Sequence, residues 1–182
     1  MAASPKKSLA LDTNLLLDLA GEKDFAHEFK EEFLSRNYSL FVPPTVVAEL
    51  AFFASLEDAP QREIASVALE KIGVWKCQPF TLSSTQLAIA VRFATRLMDS
   101  ALIPETEQND GKILAQTSLA GIPMLVTSDK HLLDIDEDAL LLAFNEADFS
   151  PRIRFLQYAR VGAIQRAMRE TAGHTPYTTS SK

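Results

Sequence analysis

Ser8-Leu9-Ala10-Leu11-Asp12-Thr13-Asn14-Leu15-Leu16-Leu17-Asp18-Leu19-Ala20-Gly21 changes character once, at Asp12. Ser8–Leu11 is a short apolar run of the kind that forms a strand buried on both faces. Leu15–Ala20 then reads as a helix, with Thr13 or Asn14 as its N-cap and Gly21 as its stop. Asp12 therefore falls where a buried strand hands over to a helix. A carboxylate in that place is hard to assign to capping when Thr13 and Asn14 already serve.

The same alternation continues outward. Phe25, Phe29 and Phe33 recur at steps of four and predict a helix over 24–35. Ser39–Val42 reads as a strand stopped by Pro43-Pro44, and Thr45 can cap a helix over 46–57. Gln61–Ile72 reads as a helix with Ile64, Ala68, Leu69 and Ile72 on one face, and Val74–Phe80 as a short edge strand. Ser83 or Ser84 opens a helix to Met98, striped by Leu87, Val91, Ala94 and Met98. A polar loop, Asp99–Asn109, leads to a helix over Asp110–Ala120 that Gly121 stops. Pro123–Val126 is a buried strand, a short helix holds Leu132 and Leu133, and Leu140–Phe144 reads as a last strand. Arg152–Arg169 reads as a helix, with Ile153, Val161, Ile164 and Met168 as its apolar stripe and Arg160, Arg166 and Arg169 off it. Thr171–Lys182 is expected to be disordered. Strands alternating with helices indicate an α/β fold in three layers, a mostly parallel sheet with helices on both faces.

The chain has 182 residues, 47% of them hydrophobic, enough for one core and too few for two ordinary domains. Residues 1–150 are read as one domain and 151–182 as a basic C-terminal helix with its tail. The first part holds 12 basic and 23 acidic side chains, a net −11; the second holds 6 and 1, a net +5. That division allows a phosphate-contacting end on an otherwise acidic chain. Cys77 is the one cysteine, which excludes an intramolecular disulfide and a thiolate metal site; it reads as a buried structural thiol. Met1–Lys7 does not read as a signal peptide, and no run approaches ~18 apolar residues, so the expected location is the cytoplasm, away from membranes.

In an open parallel sheet the ligand crevice lies beyond the carboxyl ends of the strands. Asp12 and Asp129 each follow a strand, Asp110 heads a helix, and Glu49 lies about one turn into the helix after the second strand. Asp110 and Asp129 can each be no more than helix caps. With Thr45 as cap, a reciprocal capping acid belongs at position 48, so Glu49 is not explained that way. Carboxylates packed together raise one another's pKa, and a divalent cation removes that repulsion. All-oxygen ligands without His or Cys suit Mg²⁺ or Mn²⁺ rather than zinc.

At these residues the chain resembles the PIN-domain family. Leu9-Ala10-Leu11-Asp12-Thr13-Asn14 is similar to that family's opening strand and Asp-Thr-Asn. Val46-Val47-Ala48-Glu49-Leu50, Asn109-Asp110-Gly111-Lys112-Ile113-Leu114-Ala115 and Leu125-Val126-Thr127-Ser128-Asp129-Lys130-His131-Leu132-Leu133 resemble its later acidic motifs in order. The resemblance covers about residues 8–150. It implies a PIN-like nuclease fold and metal-dependent endoribonuclease activity, with Asp12, Glu49, Asp110 and Asp129 as catalytic residues holding Mg²⁺ or Mn²⁺. It further implies the toxin half of a toxin–antitoxin pair of the VapC-like kind. The expected partners are an RNA substrate, an antitoxin protein and a second copy of the chain in a dimer. Residues 61–98 match none of these motifs, and the basic segment after 150 is longer than such toxins usually carry.

Competing functions are a catalytically inactive PIN-like scaffold that binds RNA or protein, and a phosphatase of the haloacid-dehalogenase type. The phosphatase wants a second acid two residues after the first, where this chain has Asn14. A receiver-type phosphoacceptor wants an acidic pair before its first loop, and residues 8–11 offer none. Glu107 can reach the metal as an outer ligand or remain a solvated loop acid. Lys112, Lys130 and His131 border the motif acids and can touch phosphates or simply face solvent.

Overall fold

Leu9, Ala10 and Leu11 are inaccessible to solvent, as an apolar run in a central strand requires. The structure is a computed structural model that describes residues 7–149 and 153–157. Strand β1 (Lys7–Leu11) runs into helix α1 (Thr13–Ala20) and then α2 (Asp24–Ser35). Strand β2 (Tyr38–Val42) is followed by α3 (Pro44–Ala54) and α4 (Ala59–Lys71). Edge strand β3 (Cys77–Pro79) leads to α5 (Ser84–Asp99) and α6 (Gln108–Leu119). Strand β4 (Met124–Thr127), helices α7 (Lys130–Leu133) and α8 (Glu137–Glu146), and strand β5 (Arg154–Gln157) complete the described chain.

The sheet has five strands in the order β3-β2-β1-β4-β5, all paired in parallel. Leu9 faces Leu40 across β1 and β2, and Leu11 faces Val126 across β1 and β4. Connections run outward from β1 to β3, then return past β1 to β4 and β5. Right-handed crossovers in opposite directions place helices on both faces, giving the three-layer α/β/α fold. The strand order reverses between β1 and β4, so the ligand crevice of such a sheet lies beyond their carboxyl ends.

One hydrophobic cluster runs from Leu9 through Phe29, Phe33 and Leu125 to Ile153. Phe93, Phe144 and Phe149 meet with ring centroids 4.8–5.9 Å apart and join α5 to α8. Trp75 and Cys77 are buried, and burial pushes the Cys77 thiol up to about 12, which makes it inert. No helix among the described residues is long and apolar enough to cross a membrane.

Several sequence expectations give way. Leu140–Phe144 is not a strand but the middle of α8. Asp136 caps that helix by accepting from Ala139 N–H (2.8 Å), and Leu140, Ala143 and Phe144 are buried at helical spacing while Leu142 is 57% exposed. Arg154–Gln157, read as part of a helix over Arg152–Arg169, instead pairs in parallel with β4, starting from Arg154 N–H to Pro123 C=O (2.9 Å). An unfilled sheet edge overrides local helix propensity there, and the sheet thereby extends past residue 150. The rest of that segment, with Arg160, Arg166 and Arg169, and the tail Thr171–Lys182 lie outside the described residues. On α5 the buried face is Ala90, Phe93, Ala94 and Leu97, so Leu87 and Val91 face outward. On α4 the buried residues are Ala65 and Ala68, and Ile64 is exposed.

Helices α5 and α6 approach so closely that Gly111 has no room for a side chain. A Cβ there would lie 2.7 Å from Ala94 Cα and 2.8 Å from Ala94 Cβ. Gly111→Ala should therefore destabilise the protein by about 1–3 kcal/mol through overpacking, although Ala is the better helix former by ~1 kcal/mol. Gly73→Ala, with nothing within 4 Å of its would-be Cβ, is the control, expected within about 0.5 kcal/mol of wild type. Urea denaturation compares the two; equal stabilities would show that the helices can part without loss.

Candidate functional site

Asp12 is the first residue beyond β1, and its backbone N–H still reaches Val126 C=O of β4 (3.0 Å). It is only 3% exposed. Asp12 Oδ1 accepts from Thr13 N–H (2.7 Å), and Oδ2 accepts from the Thr127 hydroxyl (2.6 Å). Asp12 is therefore the N-cap of α1, a correction to the assignment of that task to Thr13 or Asn14. Its strand-end placement and its capping role coexist.

The fully buried Thr127 faces two ways. While donating to Asp12, its Oγ1 accepts from Asp129 N–H (2.9 Å), and Asp129 Oδ1 in turn accepts from His131 N–H (2.7 Å) to cap α7. On the opposite side the Thr13 hydroxyl donates to Glu49 Oε2. Asn109 Nδ2 donates to Glu49 Oε1 (2.8 Å), and Lys112 Nζ donates to Asn109 Oδ1 (3.1 Å). One chain of hydrogen bonds thus links the ends of β1 and β4 to α1, α3 and α6.

Asp110 is the exception. Helix α6 begins two residues earlier than its sequence suggests, at Gln108, so Asp110 lies within the first turn and is not the cap. It is 7% exposed, and its Oδ2 is buried without a hydrogen-bond partner among the described residues. Burial, joined by the charges of Asp12, Asp129, Glu107 and Glu49, raises Asp110 from the ordinary 3.8 to about 8. Burial also raises Asp12 to about 6, with Glu49 and Asp129 adding to the rise and the Thr127 and Thr13 hydrogen bonds opposing it. The four acids singled out in the sequence thus share one electrostatic site, and Glu107 joins it.

Among the described residues no three His, Cys, Asp or Glu side chains are arranged to hold a metal ion as they stand. Both oxygens of Asp12 and both of Glu49 are engaged by Thr13, Thr127 and Asn109. The donor chemistry nevertheless fits a hard divalent cation: all oxygen, mutually repelling, with one buried oxygen lacking any partner.

Sequence reasoning missed the ties among the acids. Thr127 ends a buried strand, where a hydroxyl must find a partner, and that was its one visible signal. Nothing in the sequence announces that Gln116 accepts from Thr45 N–H (3.0 Å) and donates to Thr45 Oγ1 (2.8 Å), both side chains buried. Helix α3 has Pro43 as N-cap and no side-chain cap of its own, so a side chain from α6 supplies it, in place of the expected Thr45.

The raised values set a pH dependence. Between the ordinary 3.8 and about 8 the folded state holds protons on Asp110 and Asp12 that the unfolded chain has lost. Stability therefore falls as pH rises through that window and levels off above it. Melting temperature in EDTA should decline from pH 5 to pH 8, and Asp110→Asn should flatten the decline. A wild-type profile that rises over this window would contradict the burial of these acids.

The PIN-domain profile matches residues 9–138. The fold is similar to a chain in the crystal structure of VapBC2 from Rickettsia felis bound to a DNA fragment from their promoter (TM-score 0.55, 18% identity, 84% of this chain and 99% of that one). FitAB bound to an IR36 DNA fragment is more distant (TM-score 0.48, 15% identity, 81% and 94%), as is FitAcB from Neisseria gonorrhoeae (TM-score 0.44, 17% identity, 80% and 95%). A search of curated proteins found no match. With the profile spanning well over half of its length and the acids gathered at the switch point of the sheet, this chain belongs to the PIN-domain family.

Proposed function

We propose that this chain is a metal-dependent endoribonuclease that hydrolyses RNA phosphodiester bonds, with Asp12, Glu49, Asp110 and Asp129 as the residues that would hold Mg²⁺ or Mn²⁺. The observation that carries this reading is the buried, partnerless Oδ2 of Asp110 beside three other carboxylates. Membership of the PIN family supports it, since PIN domains are generally nucleases.

The chain's own groups supply the positioning. Thr127 fixes the plane of the Asp12 carboxylate and at the same time holds the backbone of Asp129. Thr13 and Asn109 grip the two oxygens of Glu49. Lys112, held by Asn109, keeps a positive charge next to the acids. No histidine is needed as a base: His27 Nε2 contacts Leu19 C=O, remote in sequence from every motif acid, and His131 meets Asp129 through its backbone. A bound divalent ion would supply an acidified water and offset charge on the phosphoryl group. The toxin role, an antitoxin partner, a homodimer and a cytoplasmic location belong to the same proposal, carried by the VapC-like resemblance of the motifs.

The engagement of Asp12 and Glu49 by neighbouring hydroxyls and an amide favours a second reading, an inactive scaffold that binds RNA or protein. Asp12→Asn separates the two. Asn preserves the cap on Thr13 and can still face Thr127, so melting temperature in EDTA should hold or rise. RNA cleavage in Mn²⁺ should fall by about 100-fold or more, since even outer partners of a metal site are worth 10–100-fold. Cleavage that is undiminished in EDTA would sink the metal mechanism. Wild type that binds RNA and cuts it in neither Mg²⁺ nor Mn²⁺ would establish the scaffold.

A further inference from the structure

A cleft of about 430 Å³ opens between the loop after α5 and helix α7, within the range of small-ligand sites (about 300–1,000 Å³). Leu102 and Pro104 form its apolar wall; Glu105, Lys130, His131 and Asp134 supply its polar groups. Its lining is continuous in sequence with the acids on both sides. Lys130 and His131 follow Asp129 directly, and the loop carrying Glu105 continues into Glu107, whose charge acts on Asp110. All four polar side chains are exposed, and among the described residues none spends its side chain on a hydrogen bond or ion pair. A fold that ties down Thr13, Asn109, Lys112 and Thr127 leaves two cationic or N–H donors and two carboxylate acceptors free here, around an apolar wall.

We infer that this cleft is a base-binding subsite that takes a nucleoside of single-stranded RNA next to the phosphate to be cut. It rests on the ribonuclease reading above and adds to it a preference among bases. The flat face of the base lies against Leu102 and Pro104. Lys130 and the His131 ring N–H meet the flanking phosphate, on the side of Asp129. Glu105 and Asp134 accept from the base edge, and only donors suit an ionised carboxylate. Adenine, cytosine and guanine each present an exocyclic amino group; uracil presents only its N3–H, set between two carbonyl oxygens that repel a carboxylate. A base can reach this cleft only when unstacked, so the substrate is a single strand or loop rather than a duplex.

The test uses the full chain in EDTA, so that binding is read without cleavage. The protein is titrated with AMP, CMP, GMP and UMP and with a short single-stranded RNA, following the methyl resonances of Leu102 and the ring resonances of His131. Saturable shifts at these two residues are expected, with UMP the weakest of the four mononucleotides. Lys130→Ala combined with His131→Ala should weaken binding about tenfold, as for loss of a stacking or charge contact. Glu105→Gln combined with Asp134→Asn should erase the disadvantage of UMP. All four positions are on the surface, so the variants should melt with wild type. No shift at Leu102 and His131, or binding that neither double variant changes, overturns the subsite. Equal binding of UMP by wild type overturns the base preference. Cleavage in Mn²⁺ is scored separately. Nucleotides that bind here while RNA goes uncut defeat the nuclease reading and leave the subsite standing, whereas cleavage without these shifts does the reverse.

Discussion

A carboxylate in the protein interior must find donors or give up its charge, and Asp12 is such a carboxylate at the end of the central strand. The fold answers with a backbone N–H and a threonine hydroxyl, one from each side of the sheet's switch point. That answer organises the rest. Thr127 can serve Asp12 only because β4 lies beside β1, and its position fixes Asp129 as well. Thr13 can cap nothing once Asp12 takes that task, and its hydroxyl turns to Glu49. Asp110 enters the same crevice on another helix and finds no donor for Oδ2 among the described residues. The site therefore carries a mismatch between negative charge and available hydrogen bonds, which protonation or a cation can relieve.

Helix placement is held to the same tolerance. Next to the buried Asp110, α6 comes so close to α5 that Gly111 has no room for a side chain beside Ala94. Glu49 sits one turn beyond Thr45, where Gln116 of α6 caps the start of α3. Two buried contacts made by none of the four acids hold α6 in place, a missing side chain against α5 and an amide against α3, the helix that carries Glu49.

The sequence makes the central architecture legible where local rules and burial agree. Leu9–Leu11 and Met124–Thr127 are apolar runs ended by polar residues, and each proves to be a strand with an acid just past it. Leu140-Leu141-Leu142-Ala143-Phe144 misleads because five consecutive apolar residues carry no period; Asp136, a cap placed just ahead of them, is the signal that decides for a helix. Arg154–Gln157 is illegible because its pairing partner lies on β4, about thirty residues earlier, and no local pattern encodes an empty sheet edge. The site divides in the same way. The four acids stand out by their positions relative to strands and helices, whereas Thr127, Asn109 and Gln116 matter through contacts between segments distant in the chain.

Strand order also has a consequence in time. Ala10 pairs with Leu125, and the Asp12 carboxylate is held by Thr127, so the first and last parts of the crevice are separated by more than a hundred residues of synthesis. At roughly 5–20 residues per second on the ribosome, Asp12 and Glu49 emerge several seconds before β4 exists to receive β1. During that interval the growing chain holds half of the acids and none of the geometry. The proposed ribonuclease activity, exerted while the chain is still attached to its own message, would endanger its synthesis; the crevice has no way to form until nearly the whole domain has been made.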